Sequence, residues 1–559
     1  MKIITKLSLP IVLAMAMSCS QAPVYDSGKD SGNEENVDEG TQGGDEVPDE
    51  IQIENGTTLY GRITDENGKP VEGVAVSDGY TVVETDADGV YQIVKNALAH
   101  FVFYTTPSEY EINRDDEGYP KFYESYDRSD DLVRKDFCLK SLTKDETNFK
   151  LICISDPQCK TPSDIGRYRT ETIPDVEATA RQYLDEGISV YGVTLGDITF
   201  DTPQNWGDMR EAMANLNIPI FQAIGNHDHL QNVTGETAAT QNYEEYFGPR
   251  DYSFDRGDAH IVVMDNVIYK GGAGGSNYSG GISDSQLSWL TADLALVPKD
   301  KLVIFCAHIP FRDLSDATNE SKRNGDAVIE LLAKFQEAHL MIGHTHYSEN
   351  WVHETNGKNI IEHIHGSACG AWWSDSFCVD GTPNGYAVYD IQASTIDDYY
   401  YKGTGLDKNV QIRAYSGTEK FGESGSATGV TTVFGWGANS ETYNDPKCVI
   451  ANVWNAIVPS RCADADLLWK VELWQNGNKV CDMKSITTTE WWAYANLVIR
   501  YGKSKTGTYS NGRPHIFYGM LNSGDTENDS DESLDFEVRA TDQFGHVYKC
   551  SSLQRGLLQ

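Results

Sequence analysis

The sequence predicts a multidomain chain in which a layered α/β domain lies between two all-β, sandwich-like domains. Three observations predict it. Between about residues 147 and 390, apolar runs of strand length alternate with amphipathic helical stretches, which is the rhythm of an α/β layer. On either side, over residues 55–142 and 391–559, apolar and polar residues alternate between Gly- and Asp-rich turns, as in antiparallel sheets. The third is length, since 559 residues exceed what one hydrophobic core sustains.

Residues 1–18 read as a signal peptide. Lys2 and Lys6 precede an apolar stretch, LSLPIVLAMAM at 7–17, too short to span a bilayer. Cleavage after Ser18 would leave Cys19 first, and the run AMSC resembles a bacterial lipoprotein signal in which that cysteine is acylated. The expected location is therefore the bacterial cell envelope, facing the periplasm or on the cell surface, with simple secretion as the alternative. No other stretch is long and apolar enough for a transmembrane helix, so the lipid would be the only membrane anchor. Residues 19–54 are acidic and rich in Gly and Ser, the composition of a solvated, self-repelling tether. The formal net charge of -39 argues against a nucleic-acid polymer as partner, because phosphate backbones are gripped by basic surfaces.

The N-terminal β domain is punctuated by DENG, SDG and DADG turns. Asp86, Asp88 and Gly89 superficially suggest a calcium loop, but the ligand series stops there and a hairpin turn is the better reading. In the central region the apolar runs are KLICIS, ISVYGVTL, PIFQAI, HIVVMD, KLVIFCA and HLMI, with helix candidates DVEATARQYLDEG, NWGDMREAMANLN and SDSQLSWLTADLALV. Five of the six runs stop at a polar cluster: SDPQ (155–158), GDITFD (196–201), GNHDH (225–229), AHIP (307–310) and GHTH (343–346). In open α/β sheets, ligands sit at the carboxyl ends of strands, so these clusters are expected to converge.

Their donors suit two cations that share one carboxylate. Asp156, Gln158, Asp197 and His346 can surround one; Asp197, Asn226, His308 and His344 can surround the other, with the two oxygens of Asp197 as the bridge. Mixed Asp, His, Asn and Gln donors fit divalent Mn, Fe, Zn, Co or Mg rather than a structural thiolate zinc site. Asp228, beside His227, is placed to fix the tautomer and orientation of that imidazole.

These motifs resemble the calcineurin-like metallophosphoesterase family, whose signature DxH, GDxxD, GNH[DE], a lone His and GHxH appears here as DPQ, GDITFD, GNHD, His308 and GHTH. Two departures stand out. Gln158 replaces the usual His, and Asp201 lies one residue beyond the last Asp of GDxxD. The flanking segments GKPVEGVAVSDGY, CGAWW, DGTPNGYAVYD and VRATDQFGHVY resemble the companion β domains of a bacterial subgroup. The resemblance implies a central two-sheet β sandwich flanked by helices and a hydrolase of phosphomonoesters or phosphodiesters, in which metal-activated hydroxide attacks phosphorus in line. It further implies that His227, oriented by Asp228, protonates the leaving oxygen while Asn226 joins metal to phosphate oxygen. The substrate would be a small phosphate ester, such as a phosphorylated glycan, lipid or nucleotide. Gln158 and the two β domains suggest the alternative, a non-catalytic binding or adhesion lipoprotein on a degenerate scaffold.

Around this site, the Gly-rich stretch 267–283 is a loop that either closes over a ligand or has no role. His365, Trp372 and Trp373 are candidates for the pocket wall. In the C-terminal domain, Trp454, Trp469, Trp474, Trp491 and Trp492 are read mostly as core, with a sugar-stacking platform as the alternative. Cys153 and Cys306 belong to core strands, and Cys369 with Cys378, or Cys448 with Cys462, are the conceivable disulfides.

Overall fold

The computed structural model describes residues 50–271, 278–314, 323–417, 445–497, 511–522 and 535–551. The signal segment, Cys19 and the tether up to residue 49 lie outside them. Among the described residues no helix is long and apolar enough to cross a membrane.

Short alternating strands build the N-terminal sandwich. One sheet pairs Leu59–Asp65 with Val90–Ile93, Val133–Arg134 and Phe137–Leu139; the other runs Val82–Glu84, Ala75–Ser77, Phe101–Tyr104, Tyr123–Ser125. The DADG segment is a turn rather than a calcium loop, because Asp86 spends its carboxylate on the backbone N–H groups of Asp88 (3.0 Å) and Val90 (2.8 Å); it is not the expected hairpin, since the strands it joins, Val82–Glu84 and Val90–Ile93, belong to different sheets.

Two sheets form the central domain. The first runs Ile220–Ala223, Ser189–Leu195, Asn148–Ile154, Gly385–Gln392, Thr395–Gly403; the second runs Tyr252–Arg256, Ala259–Val263, Leu302–Ala307, Glu337–Ile342, Lys358–Ile364, Glu349–Thr355. The period-two alternation of a strand explains the layering. Leu151 and Cys153 face the core between the sheets, while Ile152 and Ile154 pack under the helices Ile173–Asp185 and Trp206–Ala214. Helices Asp284–Leu296 and Gly325–Leu332 cover the second sheet through Trp289, Leu294 and Val328. The expected domain boundary after 390 is corrected: Thr395–Gly403 pairs antiparallel with Gly385–Gln392, so the central domain extends through Gly403. Alternation reports a strand but not the sheet it joins.

The C-terminal sandwich packs Ile412–Ser416, Cys448–Val453, Arg513–Met520 and Lys484–Thr488 against Asn478–Asp482, Lys470–Gln475, Glu537–Thr541 and Val547–Ser551. Trp454, Trp469 and Trp492 are buried and Trp474 lies beneath Arg539, so these rings serve packing rather than a sugar platform. Cys369, Cys378, Cys448 and Cys462 are thiols, and neither conceivable pair is bridged.

One buried ion network joins the second sheet to its helix. His260 lies 2.7 Å through Nδ1 from Asp255 and 2.9 Å through Nε2 from Asp293, which also accepts from Ser253. Burial opposes the charge on His260, but Asp293 and Asp255 outweigh it and push the imidazole up to about 10. The folded value therefore exceeds the unfolded one of about 6.5. This stabilisation is full below about pH 6.5 and is lost as pH rises through about 10. His260→Leu is expected to destabilise the protein by about 3–5 kcal/mol at neutral pH, because it leaves buried Asp293 without its cation. Urea denaturation between pH 7 and pH 10 checks this: the variant should lose most of the parent's pH dependence over that roughly three-unit window.

Candidate metal centre

Parallel strands of both sheets end at the same edge, and each donor follows a strand end by a few residues. Asp156 and Gln158 follow Asn148–Ile154, Asp197 follows Ser189–Leu195, and Asn226 follows Ile220–Ala223. His308 follows Leu302–Ala307, and His344 and His346 follow Glu337–Ile342. The structure brings these residues together. One donor atom each from Asp197, His308 and His344 lie within 4.8 Å of one another, as do those from Asp156, Asp197 and His346.

The backbone is held under strain to achieve this. Asp156, Gln158, Asp197, His344 and His346 have φ of +47°, +41°, +52°, +73° and +55°, a left-handed conformation that costs roughly 1–2 kcal/mol per non-glycine residue. Close packing of the loops enforces it. A Cβ on Gly225 would sit 2.2 Å from Asp197 N, and one on Gly343 would sit 2.6 Å from Ser155 Oγ, so only glycine fits at either point.

Neighbouring groups aim the donors. His308 Nδ1 donates to the Leu195 carbonyl (2.7 Å), which leaves Nε2 facing Asp197 Oδ1 (3.3 Å) and Asn226 Oδ1 (3.1 Å). His346 Nδ1 donates to the Gly370 carbonyl (3.3 Å), leaving Nε2 3.4 Å from Asp156 Oδ1. His344 Nδ1 lies 3.2 Å from His308 Nε2, a meeting of two lone-pair donors that suits a cation between them. Gln158 Nε2 donates to Asp197 Oδ2 (2.7 Å). Its Oε1, and Asp156 Oδ1, are buried with no hydrogen-bond partner among the described residues. Buried acceptors without a donor are costly, and a cation is the group that would satisfy these; the donor set and its glycine-walled setting fit divalent metal ions.

Burial raises the Asp197 carboxyl, but His308 and His227 outweigh it and hold the group well below the usual carboxylate range. Burial lowers His308, yet Asp197 and Asp156 push it up to about 9; His344 is pushed down to about 4 by burial and by His308.

His227 stands beside the shared carboxylate, donating its backbone N–H to Asp197 Oδ1 (2.8 Å). Its orienting partner is corrected from Asp228 to Asp201, whose Oδ1 lies 2.9 Å from His227 Nδ1. Asp228 points the other way and accepts from the backbone N–H groups of Gly225 (2.9 Å), Ile198 (3.1 Å) and Thr199 (3.2 Å), stitching two site loops together. Burial and Asp197 push its carboxyl up to about 7. Phe200 stacks on His227 with ring centroids 4.2 Å apart.

Other expectations sort clearly. Trp372 stacks on His346 (4.6 Å) and walls the site. Trp373 is buried against Tyr168 and donates to the Pro157 carbonyl (2.9 Å). His365 is not among the converging donors: its nitrogens engage the Ile342 carbonyl and Tyr389, both at 2.8 Å. His229 is likewise committed, to the Gly225 carbonyl, Glu236 and Asp265. The Gly-rich stretch contains a ribbon, Val267–Tyr269 paired with Tyr278–Gly280, and its residues 272–277 lie outside the described ones. The ribbon carries Tyr278 to within 3.5 Å of His344 Nε2, a contact without a signal in sequence.

The family described as Calcineurin-like phosphoesterase matches residues 149–348, and its companions, the N terminal and C terminal of Calcineurin-like phosphoesterase, match 57–142 and 362–548. The chain belongs to the calcineurin-like phosphoesterase family. Within it, a probable glycerophosphodiester phosphodiesterase GpdQ from Arcobacter nitrofigilis is 28% identical over 163 residues, covering 28% of this chain and 55% of the relative. A probable cyclic nucleotide phosphodiesterase from Rhodococcus erythropolis is 26% identical over 140 residues, covering 24% and 42%. The chain thus spans about half the length of the curated relatives it matches. Among solved structures, a purple acid phosphatase PPD1 from yellow lupin aligns with TM-score 0.33 and 13% identity over 46% of this chain and 51% of that one. TT1561 of Thermus thermophilus aligns with TM-score 0.26 and 9% identity over 46% and 99%.

Gln158 is the departure of this calcineurin-like chain with a chemical consequence. An amide oxygen is a harder donor than imidazole and binds late first-row metals less tightly. Gln158→His is therefore expected to raise zinc or iron affinity at the position shared with Asp156, Asp197 and His346. Metal analysis of the purified proteins checks it. Unchanged identity and affinity would show that Gln158 is not a ligand.

Proposed function

We propose that this chain is an envelope-tethered, two-metal hydrolase of phosphate esters, with phosphodiesters as the first substrate class and phosphomonoesters as the second. The observation that carries the reading is the pair of donor groups meeting at Asp197, with the His227–Asp201 pair alongside. Asp156, Gln158, Asp197 and His346 would hold one ion, and Asp197, Asn226, His308 and His344 the other. When bound, divalent ions of this kind supply Lewis acidity to phosphoryl oxygens and make water acidic near neutral pH. Asn226 would join metal to phosphate oxygen. Burial lowers the His227 imidazole, but Asp197 and Asp201 outweigh it and raise it above its ordinary range; with Nδ1 on Asp201, Nε2 is the nitrogen available to the leaving oxygen. The preference for diesters rests on both curated relatives being named phosphodiesterases.

The test is a panel: the purified chain with Mn, Zn, Fe, Co or Mg, assayed against bis(para-nitrophenyl) phosphate and para-nitrophenyl phosphate. Hydrolysis of neither, by protein shown to contain two metals, would sink the proposal in favour of a binding role. The tether is tested separately. Cys19→Ala should leave the protein soluble or uncleaved while the parent sediments with membranes; identical fractionation would exclude the lipid anchor.

A further inference from the structure

We propose that Tyr278 is a positioning residue of the metal centre, its hydroxyl accepting the Nε2 proton of His344 and so fixing the tautomer that ligates through Nδ1. That role rests on the two-metal reading of the site, not on the reaction run there. Each imidazole of the two donor groups has one nitrogen among the donors and one turned away. His308 and His346 turn Nδ1 away, onto the Leu195 and Gly370 carbonyls. His344 is reversed: Nδ1 lies 3.2 Å from His308 Nε2, and Nε2 is the nitrogen turned away. Among the described residues its only hydrogen-bond partner is the Tyr278 hydroxyl, at 3.5 Å. A metal-ligating histidine gives its remaining N–H to an acceptor, which sets the tautomer and the ring direction. A phenol hydroxyl can accept that proton, whereas a proton left on Nδ1 would occupy the ligating lone pair.

At 3.5 Å the contact is at the long limit for a hydrogen bond, so the scaffold rather than the bond must set it. Tyr278 lies on the ribbon whose register pairs it with Tyr269, Ser279 with Ile268 and Gly280 with Val267. Buried Asn266 closes the root of that ribbon, where its carbonyl accepts from Gly281 N (2.9 Å). The same residue clamps the strand end that carries His308: Oδ1 accepts from His308 N (3.2 Å) and Ile309 N (2.8 Å), and Nδ2 donates to the Ile309 carbonyl (2.7 Å). One asparagine therefore holds both the backbone of one imidazole ligand and the ribbon that reaches the other. The Tyr278 ring is half-buried against the core cluster containing Val267, Ile309 and Leu314. It meets His344 edge to face, with centroids 5.9 Å apart and planes at 87°. Strand alternation turns Ser279 to the opposite side of the ribbon.

The test reads metal retention, not turnover. Full chain loaded with Co(II) at both positions is challenged with increasing chelator and followed by visible absorption, as parent, Tyr278→Phe and Ser279→Ala. Tyr278→Phe keeps the ring but has no acceptor. One ion should then be lost at about 10- to 100-fold lower chelator with a shift of its absorption bands, while the other holds as in the parent. Ser279→Ala should match the parent throughout. Unchanged retention and bands in Tyr278→Phe overturn the proposal. So does weakening of both ions together, or an equal loss in Ser279→Ala, which would assign the effect to the ribbon rather than the hydroxyl. A parent that cannot hold Co(II) at both positions overturns the metal centre and this role with it, whereas the expected Tyr278 dependence without hydrolysis of any ester would keep the role and reject the phosphoesterase.

Discussion

Asp197→Asn should remove both metals and all hydrolysis together. Asp197 is common to the two donor groups, and it accepts from His227 N through Oδ1 and from Gln158 Nε2 through Oδ2. An asparagine keeps the shape but has one acceptor oxygen, and its amide N–H would face another N–H. It also removes the negative charge that would offset the two cations. The expected loss of metal affinity exceeds the roughly 10- to 100-fold typical of losing a ligand's hydrogen-bond partner. Elemental analysis and steady-state rates on one preparation check it, and retention of both metals would show that Asp197 does not bridge.

His227→Ala should keep both metals and lose rate, by roughly the 10²- to 10⁴-fold associated with general acid catalysis. The loss should shrink for esters with a low-pKa leaving group, which needs no proton. Asp201→Asn should show the same leaving-group pattern with a smaller loss, because it touches the reaction only through His227 Nδ1. Asp228→Asn should behave differently, since that carboxylate holds three backbone N–H groups of the site loops; it should weaken metal retention and stability without dependence on the leaving group. Equal losses for good and poor leaving groups in His227→Ala would rule out the acid role.

The ordering of strands, helices and donor clusters was legible because each leaves a local signature. A strand that must be buried on both faces is a continuous apolar run, and a polar metal-ligating residue type where such a run stops is a local signal. Hence Asp156, Asp197, Asn226, His308, His344 and His346 could be named before any coordinates. The boundary after residue 390 was not legible, because Thr395–Gly403 alternates like any half-exposed strand and its partner is chosen by the sheet.

Chain order alone shows which candidate metal donors gather and in what order, since metal chemistry limits the residue types and strand ends limit their placement. Only the tertiary structure decided their partners. Asp228 neighbours His227 in sequence, yet the tight turn after Gly225 directs it to backbone amides, and the longer GDITFD loop delivers Asp201 instead. Tyr278 likewise arrives from a distant segment. The reason is physical: covalent adjacency sets where a Cα lies, but a side chain's direction follows from φ, ψ and the packing of loops far apart in the chain.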